Sequence, residues 1–160
     1  METYTYREQP VPSDIESIAS ILGTSGFFNT EEQEVGVSLV RERLEQGESC
    51  EYFFQFADVE GSVRGYTCFG PIPGTKSSYD LYWIAVDTTY RGQGLGTLLL
   101  RQTEQEIVRR RGTRIYIETS SSDLYVPTRS FYERNGYHLE AELKDYYGPH
   151  DNKLIYVKAW

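Results

Sequence analysis

Three glycines fall within five residues, Gly92, Gly94 and Gly96, inside the stretch YRGQGLG (90–96) that follows the apolar run LYWIAVD (81–87). Glycine costs backbone entropy wherever it is ordered, so such a cluster marks backbone that turns sharply or lets a ligand approach closely. The chemistry it suits is anion binding. The N–H groups of Arg91, Gly92, Gln93, Gly94, Leu95, Gly96 and Thr97 stand where a helix begins, and unsatisfied donors aligned with a helix dipole favour a pyrophosphate. Two other phosphate loops fit poorly. A dinucleotide fingerprint G-x-G-x-x-G directly follows a first strand, whereas here Thr97 occupies the third glycine position and several strands come earlier. The segment GPIPGTKS (70–77) has Thr75 where a Walker A loop needs its second glycine, and its two prolines remove backbone donors.

These residues need a scaffold, and the composition bounds it. A chain of 160 residues suits one domain, 1–160, and buries roughly 68 to 70% of its unfolded surface. Net charge is −8, which argues against nucleic acid as a partner, because phosphate backbones are bound by basic surface. An amine-bearing partner is easier to accept. No apolar run approaches the ~20 residues that span a bilayer, and METYTYREQP lacks the basic and apolar regions of a secretory signal. A cytoplasmic location without membrane attachment is therefore expected. Cys50 and Cys68 have no metal-ligand spacing; they are expected as free thiols in a reducing compartment, and no metal is expected. Fourteen tyrosines point to half-buried strands and a polar aromatic cleft. The basic run Arg109–Arg111 closes a helical pattern, where it complements the negative end of the dipole.

The pattern of elements is mixed. TYTYREQ (3–9) alternates like a strand, and PSDIESIASIL (12–22) reads as a short helix with Ser13 as N-cap. After GTSGFFN (23–29), Thr30 and Gln33 form a capping box for a helix to about Gln46, with Val37, Val40 and Leu44 as its apolar stripe. EYFFQFAD (51–58) and SVRGYTCFG (62–70) read as a hairpin, GPIPGTKSS (70–78) as a loop, and LYWIAVD as a strand. Apolar positions 95, 98, 99, 100, 107 and 108 give a helical face that Gly112 ends. RIYIETS (114–120) is a strand and SSSDLYV (120–126) a loop. PTRSFYERNG (127–136) is a short helix, and YHLEAELKDY (137–146) with KLIYVKA (153–159) forms a closing hairpin. The order β α α β β β α β α β β predicts an α/β (α+β) mixed sheet with helices on both faces.

Arg91, Gly94 and Gly96 form R-x-x-G-x-G, which resembles the acetyl-CoA loop of the GNAT family of N-acetyltransferases. FYERNGY (131–137) is similar to that family's fourth-helix motif, and 35 residues separate Gly96 from its Tyr132. The element order also resembles that fold, so the likeness covers essentially the whole chain. It implies a GNAT acyl-CoA N-acyltransferase fold: a seven-stranded, mostly antiparallel sheet with a splayed parallel pair of fourth and fifth strands and about four helices. It further implies acetyl-CoA as co-substrate, with the pantetheine arm along the main chain of Ile84, Ala85 and Val86. The resemblance gives Tyr132 the role of acid toward the leaving thiolate. Glu118 is the candidate base: strand alternation puts it on the face of Tyr116, opposite Ile115 and Ile117, and part of the family carries a glutamate there. A solvated surface glutamate is the competing reading, and Tyr125 stands where relatives often have asparagine.

The acceptor implied is a primary amine of a small molecule, amino acid or peptide N-terminus. Phe27, Phe28, Tyr146 and Tyr147 offer an aromatic lining for it, with His150 alongside and Asp145 and Asp151 suited to a cation. A homodimer is compatible with this reading. The alternative is a non-catalytic acyl-CoA-binding sensor or partner module of the same fold, which would not need Tyr132.

Overall fold

The structure, a computed structural model, describes residues 3–160. Its elements run β1 (Thr5–Arg7), α1 (Asp14–Thr24), α2 (Thr30–Gln46), β2 (Phe53–Val59), β3 (Ser62–Pro71), β4 (Ser78–Val86), α3 (Leu95–Arg109), β5 (Arg114–Ser120), α4 (Val126–Arg134), β6 (His138–Gly148) and β7 (Asp151–Ala159). The strands form one seven-stranded sheet in the order β1-β2-β3-β4-β5-β7-β6. The expected element order and mixed sheet are therefore present. The ladder between β4 and β5 is parallel and joins Ser78 to Arg114, Tyr79 to Ile115 and Asp80 to Tyr116, the N-terminal ends of both strands.

The chain divides into two compact units, the first made of the residues up to Gly70 with Trp83–Glu106, the second of Pro71–Tyr82 with Ile107–Trp160. In the first, period-two alternation sends successive side chains of β2 and β3 to opposite faces. Phe54, Phe56, Tyr66 and Cys68 join Ile18, Ile21 and Leu22 of α1 and Val40 of α2, with Val37 and Leu44 packed against them. Ala57 points the other way and meets Leu95 and Leu99 of α3. A Cβ on Gly65 would lie 2.8 Å from Leu99 Cδ1 and 3.2 Å from the Ala85 carbonyl oxygen, so the missing side chain lets the start of α3 sit close on the sheet. Behind it Thr67 and Thr103 share a buried 2.6 Å hydroxyl hydrogen bond. Arg7 ties β1 in place, donating to buried Asp14 at 2.6 Å and to Asp58 at 2.7 Å.

In the second unit β5 is buried at Ile115 and Ile117 and pairs along its length with β7, from Arg114 opposite Ala159 to Ser120 opposite Lys153. Several local expectations need correction. Ser13 precedes α1 but makes no side-chain cap; Asp14 accepts the Val11 N–H instead, at 2.7 Å. The capping box of α2 is Asn29 with Glu32, one residue before Thr30 and Gln33. Gly112 ends α3 without a positive φ; Arg111 adopts the left-handed conformation (φ 66°), and Gly112 is needed because a Cβ there would clash with Ile107 and Tyr79. The loop expected at 70–78 is present as 72–77, since β3 runs to Pro71 and β4 starts at Ser78, three residues before Leu81; the closing hairpin is tighter than expected, with only Pro149 and His150 between β6 and β7.

Candidate active site

In the first unit, β4 ends at Val86 and Asp87 fixes the next turn by accepting from the Thr89 N–H at 2.9 Å and from Arg64 at 3.2 Å. These bonds hold the Asp87 carboxyl below the usual range, outweighing the upward push of burial. The chain then reaches Gly92 (φ 75°) and Gly94 (φ 83°), two left-handed residues that a side chain would strain. A Cβ at either position would meet nothing within 4 Å, so the outer side of the turn is open. The Leu98 N–H closes the first helical bond onto the Gly94 carbonyl at 3.1 Å. The N–H groups of Leu95, Gly96 and Thr97, in the first turn, have no preceding helical carbonyl to bind. An open turn with spare donors at a helix N-terminus fits a pyrophosphate. Arg91 donates to the Ser25 carbonyl at 2.8 Å and lies 5.3 Å over the Phe27 ring, tethering the turn to the α1–α2 connection. Phe28 packs edge-on against Trp83 at 4.9 Å. Upstream, Ala85 is buried among the α1 and α2 contacts while Val86 packs against the Leu95 and Leu99 side, and Ile84 is half-buried.

In the second unit, Tyr132 is 5% exposed on α4, with the rings of Phe131, Tyr137 and Tyr156 between 5.6 and 6.2 Å away. Burial, with Tyr125 adding in the same direction, pushes its phenol well above the ordinary tyrosine value, so the hydroxyl keeps its proton at neutral pH. Tyr116 and Glu118 share one face, as alternation requires, and line a cavity of about 270 Å³ together with Ile72, Thr75, Ser78, Asp80 and Ile155. Glu118 is exposed and its Oε2 lies 2.8 Å from Lys153 Nζ. That ammonium sits 4.2 Å over the Tyr146 ring, and Tyr146 and Tyr147 meet edge to face at 5.1 Å. Burial pulls the Lys153 pKa down, but its hydrogen bonds to Glu118 and Tyr146 prevail and raise it. Asp145 is engaged by the His150 N–H at 2.8 Å, and Asp151 by the Ser120 hydroxyl.

Two residues escape a reading of the sequence alone, Asp80, which lines the cavity, and Lys153, the partner of Glu118. Burial and the Glu118 carboxylate push Asp80 up to about 6, against an opposing pull from Lys153. The signal for Asp80 is the alternation Ser78, Asp80, Tyr82 against buried Tyr79 and Leu81. Among the described residues no group of three or more His, Cys, Asp or Glu side chains could hold a metal ion, and no helix is long and apolar enough to cross a membrane.

A seven-stranded mixed sheet with one short parallel ladder, and a left-handed glycine turn opening the helix between its two strands, define an α/β protein with an anion-binding turn at a helix N-terminus. Residues 15–137 match the Acetyltransferase (GNAT) family, and the chain belongs to that family. It is similar over 98% of its length, with 39% identity and a TM-score of 0.97, to the crystal structure of a Desulfovibrio desulfuricans protein assigned to the same family, 99% of which is covered. L-2,4-diaminobutyric acid acetyltransferase of Streptomyces coelicolor is 35% identical over 106 residues, a match spanning 60% of this chain and 59% of that protein. The fold is also that of the PaiA N-acetyltransferase of Thermoplasma acidophilum, solved with coenzyme A, at a TM-score of 0.75, 16% identity and 99% coverage of both chains.

Proposed function

We propose that the protein is an acetyl-CoA-dependent N-acetyltransferase that moves the acetyl group directly onto a primary amine of a small molecule, amino acid or peptide N-terminus. The observation that carries this reading is the open turn at Gly92 and Gly94 leading into α3, in a chain of the Acetyltransferase (GNAT) family. In this reading the N–H groups of residues 91–97 hold the pyrophosphate of the co-substrate, and the main chain of Ile84, Ala85 and Val86 meets its pantetheine arm. The amine nitrogen attacks the thioester carbonyl, a C–N bond forms, and the C–S bond breaks. Tyr132, still protonated at neutral pH, gives its proton to the leaving thiolate. The acceptor arrives largely as ammonium and must lose a proton, which leaves through the carboxyl groups of the cavity that contains Glu118. That cavity is acidic, and a relative is named for a diamino acid; both favour a small cationic amine over a neutral one. Two buried free thiols, Cys50 and Cys68, suit the reducing interior of a cell.

The test is thiol release from acetyl-CoA across a panel of 2,4-diaminobutyrate and other amino acids, polyamines and short peptides, with the N-acetyl product confirmed by mass. Amine-dependent release is expected. Binding of acetyl-CoA with no transfer to any amine would favour the sensor reading, and no binding heat at all would overturn both.

A further inference from the structure

Glu118 meets an ammonium that the chain itself supplies. In the β5–β7 register Glu118 stands opposite Ile155 and Ser120 opposite Lys153. Lys153 is therefore one alternation from Ile155 on the same face, diagonal to Glu118 and within reach of it for a long side chain. Its Nζ is 2.8 Å from Glu118 Oε2, and its side chain is 11% exposed against 51% for Glu118. The same Nζ sits 4.2 Å over the Tyr146 ring. A carboxylate on one side and the face of a phenol on the other make a seat for a primary alkylammonium, and Lys153 fills it from within. An ion pair with one partner half-exposed adds little to stability. Its consequence is for the charge that a ligand meets.

The cavity that Glu118 lines has one other carboxyl group, Asp80, and its remaining lining residues, Ile72, Thr75, Ser78, Tyr116 and Ile155, are aliphatic or hydroxyl side chains. Among the described residues no hydrogen bond or ion pair holds Asp80, whose charged neighbours are Glu118 and Lys153. Lys153 thus leaves one negative charge uncompensated where two would otherwise stand. A cleft lined by one sign of charge concentrates ligands of the other sign, and it discriminates among them by the charge left unpaired when the wrong number enters. We propose that Lys153 is a specificity-determining residue: its ammonium sets the cavity for acceptors of one net positive charge, such as a diamino acid whose carboxylate cancels one of two ammonium groups, and against the corresponding dications. The inference rests on the acetyl-transfer reading and names the substrate class of the same site. Without Lys153 the seat between Glu118 and Tyr146 is free for a second ammonium of the ligand, and the preference turns toward the dication.

The test uses two probes that differ by one carboxylate, 2,4-diaminobutyrate and 1,3-diaminopropane, on the natural protein, Lys153→Met and Lys153→Arg. Binding of each probe at neutral pH is read from the ¹³C NMR shifts of the Asp80 and Glu118 carboxyl groups in the protein without co-substrate. The natural protein should favour 2,4-diaminobutyrate. In Lys153→Met, which keeps most of the apolar stem, the ratio of the two Kd values should move toward 1,3-diaminopropane by roughly tenfold or more. Lys153→Arg keeps the charge and should keep the natural order. An unmoved ratio in Lys153→Met, an equal shift in Lys153→Arg, or no binding of either probe at these carboxyl groups overturns the proposal. The kcat/KM values for the two amines should follow the same order. Acetylation with an unmoved ratio overturns the charge rule alone. A ratio that moves as expected while neither amine is acetylated supports the charge rule and overturns transfer to these amines, so the two failures are distinguishable.

Discussion

In the proposed reaction the turn before α3 and the cavity on β5 use different parts of the chain. In the turn the working groups are main-chain N–H donors, and the side chains matter chiefly by being absent: Gly92 and Gly94 sit at φ 75° and 83° with open space where a Cβ would be. In the second unit the groups are side chains, Asp80 and Glu118 in the cavity, Lys153 paired with Glu118, and Tyr132 on α4, and the environment sets their charge. A backbone site is built by conformation, so substitutions there should act on affinity. A side-chain site is built by burial and charge, so substitutions there should act on rate and pH dependence.

The largest expected effect separates the two most sharply. Tyr132→Phe keeps the ring that packs among Phe131, Tyr137 and Tyr156 and removes only the proton donor. kcat should drop by roughly 10²- to 10⁴-fold while calorimetry gives an unchanged Kd for acetyl-CoA. A parallel loss of binding would move Tyr132 into the affinity half of the comparison.

Gly94→Val is the converse. A β-branched residue at φ 83° costs about 1–3 kcal/mol of strain, and the turn relieves it by leaving the conformation that aims its donors. Acetyl-CoA binding should weaken roughly 5- to 150-fold with the pH profile of kcat unmoved. Gly65→Ala probes a different use of glycine, since its obstacle is the 2.8 Å approach of Leu99 Cδ1. Urea denaturation should show a loss of about 1–3 kcal/mol, and an unchanged midpoint would mean that Leu99 moves aside freely.

The same contrast explains what a reader of the sequence can see. Glycines at strand-to-helix junctions announce themselves, so the turn, the element order and strand β5 (Arg114–Ser120) are legible directly. Side-chain sites depend on register, which the sequence does not print. The dipeptide Tyr79–Asp80 follows a Pro- and Gly-rich stretch, and a strand read as starting at Leu81 leaves Asp80 outside the sheet; the parallel ladder with Arg114–Tyr116 brings it in. Lys153 faces Ser120 in the β5–β7 register, and only that pairing explains how it reaches Glu118. The cap of α2 is ambiguous for a simpler reason. Asn29 with Glu32 and Thr30 with Gln33 both satisfy the i, i+3 rule, and the backbone chooses Asn29, whose φ −76° and ψ 175° are extended.

The smallest expected effect concerns Lys153, whose charge pulls Asp80 down while burial and Glu118 push it up. Lys153→Met keeps most of the apolar stem and deletes the cation. Asp80 then faces Glu118 uncompensated, its folded-state pKa rises above about 6, and the midpoint of its carboxyl titration followed by ¹³C NMR should move to higher pH by under about one unit. The sign for stability is the same. A folded-state pKa raised above the unfolded value contributes stability that is present at low pH and lost as pH climbs through the folded value. Asp80 therefore costs the fold stability from about pH 4 upward through about pH 6, more so in Lys153→Met, and Asp80→Asn should be more resistant to urea at pH 7 than the natural protein. An Asp80→Asn protein that is less resistant to urea at pH 7 than the natural one would show that the carboxylate makes a stabilising contact instead.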